Sequence, residues 1–586
     1  MKWNLVNENF KKDYCINLLK SRGITSPELF LNPTIECLES PSYLTNIDIG
    51  AQLLHNIIQD ASNRILVVAD SDCDGFTSAT IIFNYIQDIS PLTHIDYLLH
   101  EHKQHGLEDH INKLMDSDIK YSLIILPDSS SNDYQYHESL KEINTPVLVL
   151  DHHITDTELS DNAVIINNQL SKDYSNKDLT GAGVTYQFCR YYDEKYGFNF
   201  ANKYMDLAAL GIIGDMGSML NIENRYIVKN GLENIQNVLL KTLAEKQAYS
   251  ITGSSTASWS EIVKALNPVS VAFYIVPLIN AVIRAGTAEE KERLFEAFLN
   301  GNEMIASKKR GAAGTLDTRA NEAARESGNI RNRQNKMLET VLARTENKIA
   351  KYDLLTNRIL FIRLEEDEDF PSELNGLLAM KLSAQYKRPT IVARKCEDGV
   401  NKGSMRGLNQ SELRSFKEFL EKSGLFTLVA GHDNAAGCWI PDKNLKDFHN
   451  WADNELKNID FGENSHDINF DRIAADEDIG NLIFDIGKYE NIWGQGNQTP
   501  LIHISDINIT QKDIKVMGKN MDTVKIEKFG ISYMKFHAKE MIEELKLHSN
   551  IKLEVVGKAN VNYWGGKANP QIFIEDYEIT NDKLGF

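Results

Sequence analysis

The chain lacks paired cysteines, a long unbroken apolar run and an excess of positive charge, and each absence removes a class of protein. Its six cysteines, Cys15, Cys37, Cys73, Cys189, Cys396 and Cys438, lie far apart with no C-x-x-C pair. That excludes a disulfide framework or a cysteine zinc site and reads as buried thiols. The longest apolar stretch, Val269 to Ile283, is short and interrupted by Pro277 and Asn280, so no membrane-spanning helix is expected. The first residues, Met1 to Phe10, show no basic patch, apolar stretch or small-residue cleavage site, which makes the cytoplasm the expected compartment. Basic residues number 63 against 83 acidic, a net of −20, which argues against a protein that coats nucleic acid. An acidic chain that handled a phosphate polymer would have to gather its Lys and Arg at the contact, or neutralise its carboxylates there with divalent cations.

What is present fits a globular chain of three to four domains: 586 residues, 42% apolar and 25% charged, with no repeat or low-complexity tract. Residues 1–55 read as an N-terminal arm of short helical pieces punctuated by Pro27, Pro33 and Pro41. From Arg64, short apolar runs (Ile65 to Ala69, Leu123 to Leu126, Val147 to Leu150, Ala163 to Ile166) alternate with helical stretches, the pattern of a parallel α/β sheet. Residues 56–310 form this first domain, with 201–300 mainly helical. The span 311–352 reads as a long, exposed connecting helix, 353–445 as a second α/β domain and 446–490 as a polar linker. The final 491–586 alternate in the manner of a small antiparallel β-barrel.

Chemistry is concentrated where the strands end. The first run leads into Asp70-Ser-Asp-Cys-Asp-Gly, the second into Pro127-Asp128 and the third into Asp151-His152-His153, all at the carboxyl ends of strands where open α/β sheets bind ligands. Asp215 closes a later helical stretch, and Asp206 lies within it, as suited to a solvated or supporting role as to ligation. A lone Asp after a strand is more often a helix N-cap, and a His-His pair is more often polar surface. Acids at three strand ends together weigh against that bland reading. So many carboxylates in one crevice need cations, and two divalent ions bridged by one carboxylate are the simplest remedy. Mixed Asp and His ligation without cysteine suits Mn2+, or Mg2+ more weakly.

These motifs resemble those of the DHH phosphoesterases, and the downstream sequence is similar to the RecJ branch of that family, single-strand-specific 5′-to-3′ exonucleases. The resemblance spans about residues 60–586. It includes Leu179-Thr-Gly-Ala-Gly-Val-Thr, Pro277-Leu-Ile-Asn-Ala-Val-Ile-Arg, Lys402-Gly-Ser-Met-Arg, Gly431-His-Asp-Asn-Ala-Ala-Gly, Trp493-Gly-Gln-Gly-Asn and Asn562-Tyr-Trp-Gly-Gly. It implies an α/β fold: a parallel-sheet DHH core, a DHH-associated α/β domain and a C-terminal OB-like barrel. It also implies metal ligation by Asp72, Asp74, Asp128, His152 and Asp215, with Asp128 bridging and Asp70 a ligand or close neighbour. Asp151 would orient His152, and His153 would face the scissile phosphate.

Arg284, Ser404, Arg406 and His432 would contact phosphate in the resemblance, and Tyr563 and Trp564 offer a stacking surface for bases. Leu98-Leu-His-Glu-His-Lys-Gln-His-Gly-Leu departs from the family's Pro-Asn-Arg style segment and leaves Lys103 as a candidate phosphate contact. The implied reaction is metal-dependent hydrolysis of single-stranded DNA to 5′-mononucleotides by a monomer without membrane association. The implied role is in DNA recombination and repair, and a single-strand-binding protein or a helicase is the candidate partner. Two alternatives stand beside it: a DHH phosphodiesterase for short oligonucleotides or cyclic dinucleotides, and a non-catalytic single-strand-binding scaffold.

Overall fold

The computed structural model describes residues 3–5, 13–102, 104–155, 157–365, 370–408, 411–459, 461, 468–470, 472–473, 479–518, 520–564 and 567–580. It divides into two compact units, the larger comprising Leu5–Ile283, Thr287–Ser327 and Phe470–Phe586, the smaller Met1–Asn4, Arg284–Gly286 and Gly328–Asn469.

The larger unit begins with a parallel sheet of five strands: β1 (Arg64–Ala69), β2 (His94–Leu99), β3 (Leu123–Pro127), β4 (Val147–Asp151) and β5 (Ala163–Asn167). The spatial order is β2-β1-β3-β4-β5. Strands β1, β3 and β4 are buried almost end to end, which explains their near-continuous Val, Ile and Leu. Strand β2 was not legible in His94-Ile-Asp-Tyr-Leu-Leu because it is a half-exposed edge with polar residues admitted. Its edge position matters. The chain steps outward from β1 to β2 and then back across β1 to β3, so β1 and β3 are neighbours at a topological switch point. The three acid-ended strands are therefore adjacent in space although not consecutive in sequence.

Helices α1 (Cys73–Ile89), α2 (Gly181–Tyr196) and α3 (Met205–Gly214) pack on one another beside this sheet. Pro268–Ala285 is one continuous helical stretch in which residues Val271–Ile275 widen to a π-turn. Pro277 does not break it, because the π-turn relieves the clash between its ring and the carbonyl four residues before. By length and composition alone this stretch is apolar enough to cross a membrane, and 56% of it is buried inside the protein.

The C-terminal sheet has the order Arg472–Ile473, Leu501–Thr510, Asn550–Trp564, Lys567–Ile579, Ile531–Lys535, Thr523–Lys528, Ile514–Met517. It is mixed rather than wholly antiparallel: Ile531–Lys535 runs parallel to Lys567–Ile579, and Arg472–Ile473 parallel to Leu501–Thr510. Tyr14, Cys15, Leu18, Leu19, Phe30 and Leu31 are buried in the same apolar cluster as Ile502, Val524 and Leu553. The N-terminal arm thus completes the C-terminal core.

Fully buried Arg225 ties the two together by donating to the Phe30 and Asn491 carbonyls, with its guanidinium 5.0 Å from the Phe30 ring centre. Five of the six cysteines are buried, Cys396 being only partly covered.

In the smaller unit a sheet runs Leu428–His432, Ala435–Pro441, Val400–Arg406, Thr390–Lys395, Leu360–Leu364, antiparallel except for the last pair. The expected exposed connecting helix is Arg319–Lys351, but it is not exposed throughout. Ile330, Leu338, Val341 and Ile349 are buried along it, spaced for one helical face among polar neighbours that hide the stripe. The span read as linker opens with the helix Leu445–Glu455, whose Phe448 and Ala452 are buried with Leu456 in the unit's apolar cluster.

Candidate metal centre

Each strand end delivers its acid for a local reason. Asp70 follows buried β1, and Asp72 caps α1 by accepting from the Gly75 N–H at 3.0 Å. The N-cap role thus falls to Asp72 and leaves its second oxygen for other work. Asp74, two residues on, turns inward and accepts from the Gly181 N–H at 2.7 Å, the Ala182 N–H at 3.1 Å and the Thr180 hydroxyl at 3.0 Å. The N-terminus of α2 therefore fixes Asp74. Asp128 follows β3 with φ of 68°, a strained conformation for a residue with a side chain. A Cβ at Gly181 would lie 2.3 Å from Asp128 Oδ1, and one at Gly211 2.3 Å from Asp74 Oδ1, so both glycines are required by the close approach of helix backbone to carboxylate.

The side chains converge. His152 Nε2 lies 3.2 Å from Asp128 Oδ1, 3.6 Å from Asp215 Oδ2 and 4.0 Å from Asp74 Oδ2. Potential ligand atoms of Asp70, Asp72 and Asp128 lie within 4.8 Å of one another, as do those of Asp74, His152 and Asp215. Asp128 adjoins both groups. Asp70 Oδ1 and Asp128 Oδ1 are buried and accept no hydrogen bond, which is the condition of oxygens built to meet a cation. The donor set of carboxylates plus one imidazole fits Mn2+ or Mg2+.

Electrostatics agree. Burial and the charges of Asp74, Asp72, Asp70 and Asp215 push Asp128 well above the ordinary carboxylate range. Burial and the neighbouring acids raise Asp74 to about 6 and Asp215 to about 8. Without cations these groups resist sharing the crevice.

Asp151 is different. Burial pushes it up, but the His153 hydrogen bond and the two imidazoles outweigh burial and hold it below the ordinary range. It accepts from the backbone N–H groups of Ser131, His152 and His153 and from His153 Nδ1 at 2.8 Å. The sequence reading paired Asp151 with the His152 ring; its ring hydrogen bond is instead to His153, while the His152 backbone N–H donates to it. Burial lowers His153, but Asp151, Asp70 and Asp215 together raise it to about 9. His153 is half-exposed, with its ring centre 4.5 Å from that of His152.

One participant was missed. His105 Nδ1 lies 2.7 Å from Asp70 Oδ2. Its loop is stapled on one side by Ser71, which accepts from the Gln104 N–H, and on the other by Asp133, which accepts from the Leu107 N–H. The signal was the run of histidines in a segment that departs from the family pattern, but nothing in spacing says which of them turns inward.

Asp206 stands apart. It is buried and caps the chain at Leu207, Gln236 and Asn237 through their N–H groups, a structural task. In the smaller unit, Ser404 and Arg406 share a sheet face two residues apart, opposite buried Met405. His432 pairs with Ala435, which in turn pairs with Arg406, so the three form a row across adjacent strands. Burial first and then the charge of Arg284 lower the Arg406 pKa, which places two guanidiniums near each other. Lys103 and the side chains of Tyr563 and Trp564 lie outside the described residues.

The sequence matches the DHH family N-terminal domain over residues 64–212 and the RecJ OB domain over 475–576. It is 35% identical over 591 residues to a Bacillus subtilis protein named "Putative SPbeta prophage-derived single-strand DNA-specific exonuclease YorK", covering 100% of this chain and 99% of that one. It is 24% identical to the single-stranded-DNA-specific exonuclease RecJ of Bacillus subtilis, over 97% of this chain and 68% of that one. The crystal structure of Thermus thermophilus RecJ in complex with Mn2+ superposes with a TM-score of 0.74 at 19% identity, covering 98% of this chain and 79% of that one. With this likeness along its whole length and acids delivered from three adjacent strand ends, the chain belongs to the RecJ branch of the DHH phosphoesterase family.

Proposed function

We propose that this protein is a single-strand-specific DNA exonuclease that removes 5′-mononucleotides by metal-dependent phosphodiester hydrolysis, acting in the cytoplasm in DNA recombination and repair. The observation that carries this reading is the pair of ligand groups meeting at Asp128, whose buried Oδ1 has no hydrogen-bond partner and lies 3.2 Å from His152 Nε2. Asp70, Asp72 and Asp128 would hold one divalent cation and Asp74, His152 and Asp215 the other, with Asp128 between them. Such a pair, Mn2+ or Mg2+, supplies an acidified water and charge neutralisation at the phosphate.

The residues do the rest. Asp151 keeps His153 protonated and oriented, and the imidazolium stabilises negative charge growing on the phosphate oxygens. His105 holds one oxygen of Asp70 and leaves the other for a cation. Arg284 and Arg406, with Ser404 and His432, are suited to phosphate groups of the strand.

The test is digestion of 5′- and 3′-labelled DNA and RNA single strands with Mn2+ or Mg2+. Release of labelled mononucleotide from the 5′ end of DNA is expected. Preferential cleavage of a 5′-phosphorylated dinucleotide over longer strands would replace this reading with a short-oligonucleotide phosphodiesterase, and binding without cleavage by the metal-loaded protein would replace it with a scaffold.

A further inference from the structure

Beyond the helix Ala288–Asn300 the larger unit puts out a short hairpin, Met304–Ala306 paired antiparallel with Leu316–Thr318. Its turn carries Lys308, Lys309 and Arg310, the only three consecutive basic residues in a chain of net charge −20. All three are exposed, and among the described residues none pairs with a carboxylate. The surrounding cations are spent differently. Arg293 pairs with Glu326, Arg319 with Glu296 and Glu303, and Arg325 with Glu322. Local acids are thus engaged at the base of the hairpin while the tip keeps its charge.

The hairpin is held before any partner arrives. Ser307 N–H donates to the Thr315 carbonyl at 2.7 Å, and buried Glu322 accepts from the Ser307 hydroxyl at 2.6 Å and the Lys308 N–H at 3.1 Å. Gly311 and Gly314 turn the chain at φ of 85° and 83°, with open space around both. A fixed base lowers the ordering cost of engaging the tip.

Lys308, where the turn begins, lies near a helix that touches the loop carrying His105. The Thr287 hydroxyl, and at longer range Arg293 and Lys308, hold Glu289 below the ordinary carboxylate range, so Lys308 is near the start of the helix Ala288–Asn300. Two residues on, Lys291 donates to the carbonyls of His100 and Glu101, in the loop that brings His105 to Asp70.

We propose that Lys308, Lys309 and Arg310 form an auxiliary phosphate-binding site that grips the unpaired substrate strand away from its reacting end. The site rests on the reading that a nucleic-acid strand is the substrate. Unpaired cations in an otherwise acidic surface concentrate attraction for a polyanion at one place, and each phosphate engaged releases counterions.

The experiment measures anisotropy of 3′-fluorescein-labelled oligothymidylates of about 20 and about 4 nucleotides, in EDTA, from about 50 to about 200 mM KCl. Combining Lys308→Ser, Lys309→Ser and Arg310→Ser should lower the slope of log affinity against log salt by about 2, because each single-strand phosphate contact contributes about 0.7. The ratio of long-strand to short-strand affinity should fall at least severalfold. Lys308→Arg with Lys309→Arg should keep the parental slope.

A neutral variant that melts like the parent and keeps its slope and long-strand affinity overturns the proposal, and so does a loss in the arginine variant. Manganese-dependent nucleotide release is read on the same parent preparation. A hydrolysing parent whose slope is insensitive to the substitutions sinks the hairpin alone. A parent whose slope responds but which releases nothing sinks the exonuclease reading alone.

Discussion

Stripping divalent cations should make this protein less stable as the pH rises, and the site's carboxylates set the size of the effect. In the metal-free fold burial first and then neighbouring acids push Asp215 up to about 8 and Asp74 up to about 6, and the same causes push Asp128 well above the ordinary carboxylate range. An acid whose folded pKa is raised holds a proton that the unfolded chain has already lost. Each such group therefore takes about 1.4 kcal/mol of stability per pH unit until its folded pKa is passed.

His100, lowered to about 3 by burial and neighbouring positive charge, and His137, lowered by burial, have the opposite sign and destabilise only below about pH 6.5. The clean window therefore opens at about pH 6.5. Between there and pH 8, Asp215 alone should take about 2 kcal/mol. His153, raised to about 9 although half exposed, loses its stabilising proton in the same direction, with a contribution reduced by solvent screening. For a cooperative unit of 150–250 residues 2 kcal/mol is a fall of about 4–8 °C in midpoint, and in the larger unit that carries these acids the fall is smaller, a few degrees.

Differential scanning fluorimetry in EDTA from about pH 6.5 to 8.5 should show that fall, and millimolar Mn2+ should flatten it, adding about 2.7 kcal/mol at a hundredfold excess over Kd. Asp128→Asn should be more stable than the parent in EDTA at pH 8 and should gain less from Mn2+. A midpoint in EDTA that is flat or rises across this window would refute the clustering of these acids.

Four further outcomes follow from the geometry. Asp128→Ala should cut nucleotide release by at least about a thousandfold with unchanged circular dichroism, the scale expected when a bridging group is lost from a site acting as a unit. His153→Gln should lower kcat by about 100-fold, with little change in KM if the imidazolium acts mainly on charge developed in the transition state. Gly211→Ala drives a methyl against Asp74 Oδ1, so calorimetry should show weaker Mn2+ binding, while Gly197→Ala, where nothing lies within 4 Å, should leave binding intact. His105→Ala should weaken Mn2+ binding by about 10- to 100-fold, and His105→Asn, which can still donate to Asp70 Oδ2, should recover part of it.

The sheet and the acids at its strand ends were legible because both follow from local rules. A buried strand must be apolar for its whole length, and a ligand at its carboxyl end must come from the next residue or two, so Ile65 to Ala69 followed by Asp70 carries both facts in one stretch of text. What sequence could not show was set by partners distant in the chain. The N-terminal arm looked empty because Tyr14, Leu18 and Phe30 acquire meaning only against residues more than 450 positions later, and Arg225 reads as an ordinary surface cation until Phe30 and Asn491 offer their carbonyls. His105 was hidden for the same reason: one of several histidines in its loop is chosen by where Ser71 and Asp133 pin the backbone.

The division has a physical origin that bears on how the site works. Direct ligands must be close to rigid secondary structure, which periodicity reveals, whereas the groups that hold those ligands at fixed angles are recruited from wherever the fold brings a donor. Asp74 shows the two together. The D-x-D-x-D-G run announces it, yet its orientation depends on Thr180, Gly181 and Ala182, more than 100 residues away, and on the absence of a side chain at Gly211. A variant that keeps every acid but displaces the start of α2 would therefore keep its motifs and lose its metals.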